Sequence, residues 1–245
     1  IWTFTAYSFL KERAGFTRDD WNNQKPIATN YAESVGMNLL PRMRQSIEWL
    51  KRNDPLQRPF WINEAADSDA NYARGYVDVI DIIGCDYYAV RATGTDLLSI
   101  GRLVQRWDAI GKGRPVWMVL QGFSWHTIRD DREHLYPSFA QSRFMAYDAI
   151  VHGARGLLYW GTNTIDDPAF RQSLYAVTSE IAALTPYLNN TASSSVTATI
   201  IPDLFEPKSL GVKTLVVHHG SNSIIILVNK DAHRHLGDEI HGLDK

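Results

Sequence analysis

Four short apolar runs in this chain each end in a polar or aromatic residue. Pro59–Asn63 leads into Glu64, and Val79–Cys85 into Asp86, Tyr87 and Tyr88. Val116–Leu120 leads into Gln121 and Gly122, and Leu157–Trp160 into Gly161. Short, Val- and Ile-rich runs bounded by turn residues are the pattern of strands buried on both faces. Ile1–Tyr7, which alternates large apolar residues with Thr, predicts a further strand. In parallel α/β proteins ligands bind at the C-terminal ends of the strands, where these polar residues fall.

Helical periodicity separates the runs. Leu40, Met43, Ile47 and Leu50 predict a helix over Leu40–Lys51, with Pro41 in its first turn and Asn53-Asp54-Pro55 stopping it. Leu97, Ile100, Val104 and Trp107 predict one over Leu97–Ile110, closed by Gly111-Lys112-Gly113. Ser138 and Gln141 stand at capping-box spacing and open a helix to Val151. Asp167-Pro168 supplies an N-cap and a first-turn proline for a helix ending at Pro186. Its expected buried stripe is Phe170, Leu174, Val177, Ile181 and Leu184. Ser8–Asn30 shows no clear periodicity and reads as a long loop. Alternation of strand and helix predicts a parallel sheet, hence an α/β fold over residues 1–188. A polar linker, Asn189–Ser195, precedes the β-rich runs Val196–Ile201, Val212–Val217 and Ile224–Val228, the last two joined as a hairpin across His218–Ser223. Residues 189–245 are therefore expected to form a small β-rich appendage with a frayed tail.

Composition narrows the function classes. A formal net charge of -2 gives no case for nucleic acid or an anionic membrane surface. No apolar segment approaches the ~20 residues of a membrane span. Cys85 is the one cysteine, so no internal disulfide framework exists, and its place in an apolar run makes it a core thiol. The chain starts at Ile1 rather than Met, which is the expectation for a processed or cut N-terminus. Eight Trp and eleven Tyr exceed what a core of this size needs, and aromatic faces serve as stacking platforms for sugars.

The succession RPFWINEA, DIIGCDYYAV, GRPVWMVLQGFSW and MAYDAIVHGARGLLYWG resembles the C-terminal half of glycoside hydrolase (β/α)8 barrels of the β-galactosidase/β-glycanase-like clan. The likeness covers roughly Pro59–Leu188. It implies a partial TIM (β/α) barrel with a small C-terminal β-rich appendage, and an activity that hydrolyses O-glycosidic bonds of carbohydrate with two carboxylates. In the family the YWG strand is typically the last of the barrel, which makes Leu157–Trp160 the eighth strand and Ile1–Tyr7 the fourth. Two departures follow. The seventh family strand usually ends in the nucleophilic Glu, whereas this one ends in Gln121, and a neutral amide cannot replace it. Strands one to three have no counterpart.

Glu64 is the first catalytic candidate: a carboxyl at a strand end could act as general acid/base, with Asn63 orienting the substrate. A surface or ion-paired Glu is the plain alternative. Asp86, framed by Tyr87 and Tyr88, is the second carboxylate or a binder of sugar hydroxyls; the alternative is a structural Asp in a loop. Gln121, Trp125 and Trp160 are expected to line the cleft, against simple core packing. A retaining mechanism needs carboxyls about 5–5.5 Å apart, an inverting one about 6.5–9.5 Å. Other chemistries lack support. Ser8 and Lys11 stand at Ser-x-x-Lys spacing without companion motifs. His218, His219, His233 and His235 lack metal-ligand spacing, and no nucleotide fingerprint occurs, so no metal or cofactor is expected. Five barrel-like strands instead of eight would leave unpaired edges, so two copies are expected to meet as a homodimer. The rival to hydrolysis is a non-catalytic carbohydrate-binding remnant of a truncated barrel, in which Gln121 marks the lost nucleophile.

Overall fold

In the computed structural model the described residues are 15–17, 19–20, 23, 25–128, 133–190 and 211–231. The expected strands Ile1–Tyr7 and Val196–Ile201 lie outside them, as does most of the expected tail. The chain divides into two compact units that do not follow chain order. The first takes the described part of Ile1–Tyr88 with Leu103–Leu120 and Gly153–Tyr159, and the second takes the remainder.

The first unit is built on a four-stranded sheet with order β1-β2-β5-β6. Its strands are β1 (Trp61–Ala65), β2 (Ile82–Asp86), β5 (Val116–Gln121) and β6 (Ala154–Trp160). β1 pairs parallel with β2, and β2 parallel with β5. All four expected runs are strands, with ends displaced by a few residues. The α/β expectation holds at this level. Helix α1 (Pro26–Asn53) precedes the sheet, α2 (Ala70–Arg74) follows β1, and α3 (Ser99–Gly111) precedes β5. The short strands β3 (Val90–Arg91) and β4 (Gly94–Thr95) form a separate antiparallel pair.

Helix α1 corrects the sequence-based expectation. It starts at Pro26, fourteen residues before Leu40, takes in part of the supposed loop, and carries Pro41 in its interior. Its buried positions are Ala28, Ala32, Gly36 and Ile47. Three of the four are small, so the helix packs closely without presenting the large apolar stripe that periodicity detects. Two arginines and a lysine tie this unit together. Arg44 forms a two-pronged pair with Asp78, one prong at 2.8 Å. Lys51 pairs with Asp81 at 2.6 Å, and the other Asp81 oxygen accepts from Phe60 N–H. The Arg106 guanidinium donates to the carbonyls of Ala66 and Ser68 at 3.1 and 2.6 Å.

In the second unit, α4 (Phe139–Val151) opens with the expected capping box. Ser138 Oγ accepts from Gln141 N–H, and Gln141 Oε1 accepts from Ser138 N–H at 2.8 Å. Helix α5 (Pro168–Leu188) opens on Asp167, which accepts from Ala169 and Phe170 N–H. Pro186 lies inside α5 rather than beyond it. The α5 stripe is deepest at Phe170, Leu174 and Val177, and only half-buried at Ile181 and Leu184. It packs on α4 and on the C-terminal hairpin β7 (Val212–His219) and β8 (Asn222–Asn229). The hairpin turn is two residues, Gly220 and Ser221. Gly220 supplies the positive φ of 60° that such a tight turn requires.

A buried ionic cluster fastens the hairpin to α4. Asp148 is fully buried and accepts from Gly101 N–H at 2.8 Å. Its other carboxyl oxygen lies 3.2 Å from His152 Nδ1 and 3.5 Å from Lys230 Nζ, just past β8. Lys230 Nζ lies 3.2 Å from His152 Nε2, so the ring nitrogen that faces the ammonium is placed to accept.

Candidate functional site

The parallel register brings Glu64 and Asp86 to the same end of the sheet, because Glu64 pairs with Cys85 and Ala65 with Asp86. The same register separates them. Paired residues share a face and successive residues alternate, so Glu64 and Asp86 leave the sheet on opposite sides.

Glu64 shares its face with Ile62, Ile83, Cys85 and Met118. Cys85 Sγ lies 3.6 Å from Met118 Sδ on this side. A Cβ on Gly111 of α3 would come within 2.8 Å of Ile83 Cγ2, so this is the side that α3 covers. Here Glu64 is 4% exposed, and both its oxygens are occupied. Oε1 accepts from Tyr76 O–H at 2.6 Å and Oε2 from Ser68 O–H at 2.8 Å. Burial first, then the Glu64 charge, pushes the Tyr76 hydroxyl far above its ordinary range, so Tyr76 stays a donor. Glu64 is thus arranged as a satisfied buried carboxylate, which stabilises the β1–α2 connection. The predicted orienter Asn63 is on the other side of the strand.

That other side carries Trp61, Asn63, Gly84, Asp86 and Trp117. The Trp61 and Trp117 rings are 5.7 Å apart and tilted by 45°. Two glycines make room for them. A Cβ on Gly156 would lie 2.5 Å from Trp117 Cδ1, and one on Gly84 would lie 3.1 Å from Trp61 Nε1. Among the described residues Trp61 Nε1 and Asn63 Oδ1 find no hydrogen-bond partner. Asp86 Oδ2 accepts from Tyr88 O–H at 2.8 Å. Burial raises the Asp86 pKa above its ordinary value, and the Tyr88 hydrogen bond works against it. A half-buried carboxyl on this face can donate to or accept from a hydroxyl-rich ligand. Tyr87 follows β2 with its N–H donated to Val119 O at 3.1 Å.

The remaining candidates belong to the second unit. Gln121 is fully buried, and its amide acts as a strut. Oε1 accepts from Val90 N–H at 2.9 Å, while Nε2 donates to Val90 O at 3.0 Å and Phe123 O at 3.1 Å. A carboxylate could accept the first bond but could donate neither of the others. Trp125 and Trp160 both set their rings edge-on to Phe123, each with centroids 5.1 Å away. Gly161, at φ 82°, allows this, because a Cβ there would come within 2.7 Å of Phe123 Cβ. The Arg91 guanidinium lies over the Trp125 ring at 5.4 Å. Trp160 is 48% exposed.

Tyr76 and Ser68, the partners of Glu64, were not visible as such in the sequence; Ser68 stands four residues on and Tyr76 twelve. Asp148 and His152 are one helical turn apart and carry a local signal, but Lys230 joins them from seventy-eight residues beyond His152. Among the described residues no group of three or more His, Cys, Asp or Glu could hold a metal ion, and no helix is long and apolar enough to cross a membrane. Comparisons with protein-family models, with curated proteins and with solved structures find no match.

Proposed function

We propose that this chain binds carbohydrate through the sheet face that carries Trp61, Asn63, Asp86 and Trp117, and that it does so without a Glu64/Asp86 hydrolytic pair. It is then the binding remnant of a glycosidase-like barrel, and a second copy completes the sheet edges as a homodimer. The observation that carries this reading is the opposite-face placement of the two carboxylates, with both Glu64 oxygens engaged. Two-carboxylate hydrolysis requires both groups to flank one glycosidic bond. The indole pair supports the sugar class, since tryptophan faces cover the apolar faces of pyranose rings while Asn63 and Asp86 offer hydrogen bonds.

The test combines binding and turnover. Tryptophan fluorescence is titrated with a panel of β-linked oligosaccharides, and aryl-β-glycosides are assayed for hydrolysis. Saturable binding that is lost in Trp117→Ala, with no turnover, is the expected result. Turnover abolished by Glu64→Gln in a folded variant would restore the hydrolase reading. Absence of binding across the whole panel would remove carbohydrate from consideration.

A further inference from the structure

At the end of the sheet opposite Glu64 and Asp86, the loops that lead into β2 and β5 enclose a cleft of about 440 Å³. Arg44 of α1, Arg74 of α2, and Lys112 and Arg114 of the α3–β5 loop line it, together with Asp78. Four cationic side chains therefore face one carboxylate, in a chain whose formal net charge is -2.

Two of the four have evident tasks. Arg44 grips Asp78 with both terminal nitrogens and donates to Gly75 O at 2.9 Å. Arg114 donates through Nε to Val77 O at 3.3 Å and through Nη2 to Asp78 O at 3.1 Å. Carbonyls orient the Arg114 guanidinium, whose charge is felt by Asp81, a carboxylate already paired with Lys51. Among the described residues Arg74 makes one side-chain hydrogen bond, to Asn71 Oδ1 at 3.4 Å, and Lys112 makes no hydrogen bond or ion pair, though after the Arg44 hydrogen bonds its charge helps hold the Asp78 carboxyl below its ordinary range. Gathering unbalanced like charges in a concave site costs free energy, and a concave site focuses their field on any anion that enters. The volume matches that of a small-molecule site, roughly 300–1,000 Å³. Guanidinium forks beside an ammonium suit a tetrahedral oxyanion with several charged oxygens.

We propose that this cleft binds a small phosphate-bearing ligand. Arg74 and Lys112 supply the excess positive charge, since the one lining carboxylate, Asp78, is already paired with Arg44, and Arg114 presents a guanidinium already oriented by the loop carbonyls. Arg44 occupies the Asp78 carboxylate, which would otherwise repel the ligand. The site is independent of the carbohydrate reading, because it lies at the other end of the sheet and uses none of the same residues.

Isothermal titration of the whole chain with inorganic pyrophosphate at low salt tests it. Saturable one-to-one binding is expected, weakening as salt rises. The double variant Arg74→Gln/Lys112→Gly should bind about tenfold more weakly or worse. Lys112 sits at φ 49°, which glycine adopts freely, so this change removes the charge and keeps the loop. Should the double variant fail to fold, Lys112→Gly alone carries the comparison and should itself weaken binding. Lys213→Gln, an exposed cation on β7, should leave affinity unchanged. Absence of saturable binding, undiminished binding in the cleft variants, or an equal loss in Lys213→Gln would each overturn the proposal.

Discussion

Replacing the buried Gln121 amide with a carboxylate, by Gln121→Glu, should destabilise this chain. The Gln121 amide makes three hydrogen bonds at a fully buried position, and two of them are donated to carbonyls. A carboxylate keeps the bond from Val90 N–H and loses the two donations, so Val90 O and Phe123 O each lose a buried hydrogen-bond donor. Each such group costs about 1–3 kcal/mol, which gives about 2–6 kcal/mol before any charge is considered. A total stability of roughly 5–15 kcal/mol makes that a large fraction. The introduced charge adds a pH signature. Burial and two facing carbonyl oxygens raise the folded-state pKa of the new carboxyl above its unfolded value of about 4.3. The folded state then binds the proton more tightly, so the deficit is smallest below the unfolded pKa and grows as pH rises toward the folded one. Urea unfolding of wild type, Gln121→Glu and Gln121→Met across pH 4–8 measures both parts. Gln121→Met removes the same two donations and also the acceptor of Val90 N–H, without introducing a charge, so its deficit should not vary with pH. A Gln121→Glu deficit below about 0.5 kcal/mol, or one that tracks Gln121→Met at every pH, would refute the strut assignment.

Tyr76→Phe removes the donor to Glu64 Oε1 and should cost about 1–3 kcal/mol in chemical denaturation, with no change expected on an exposed tyrosine such as Tyr175. Leu174→Ala should cost about 2–5 kcal/mol, because Leu174 is almost fully buried in the α5 stripe; a loss within experimental error would mean that the helix face is not packed. Asp86 has its pKa raised by burial, so wild-type stability should fall as pH rises from the unfolded aspartate value through the folded one, and Asp86→Asn should flatten that part of the profile. Among the described residues β1 and β6 are the outer strands of the sheet, and sedimentation at micromolar concentration should give a homodimer; a monodisperse monomer would count against completion of the sheet by a second copy.

The sequence alone determined the features that local chemistry dictates. The capping box at Ser138 and Gln141, the Asp167-Pro168 helix start, and the hairpin joining two β-rich runs across His218–Ser223 all need only neighbours within a few residues. The β2 and β5 runs were legible because strands buried along their length are apolar; the outer strands β1 and β6 are only half-buried but still carry short apolar runs. Helix α1 was half hidden, since its N-terminal half packs through Ala28, Ala32 and Gly36 and exposes Met37 and Leu39. What only tertiary structure decided is which side of the sheet each polar strand end takes. One residue of register separates Glu64, buried under α3 with Tyr76 and Ser68, from Asp86 on the face of Trp61 and Trp117. The strand period of two makes that single step a change of face, and no one-strand pattern records the register between strands. Gln121 was likewise readable as a strand-end residue but not as a strut, because its partners Val90 and Phe123 are set by how β3 and the β5 loop fold back onto it. The basic cleft joins Arg44 to Arg114 across seventy residues, and only the meeting of two loops at one end of a parallel sheet turns separate surface cations into a single field.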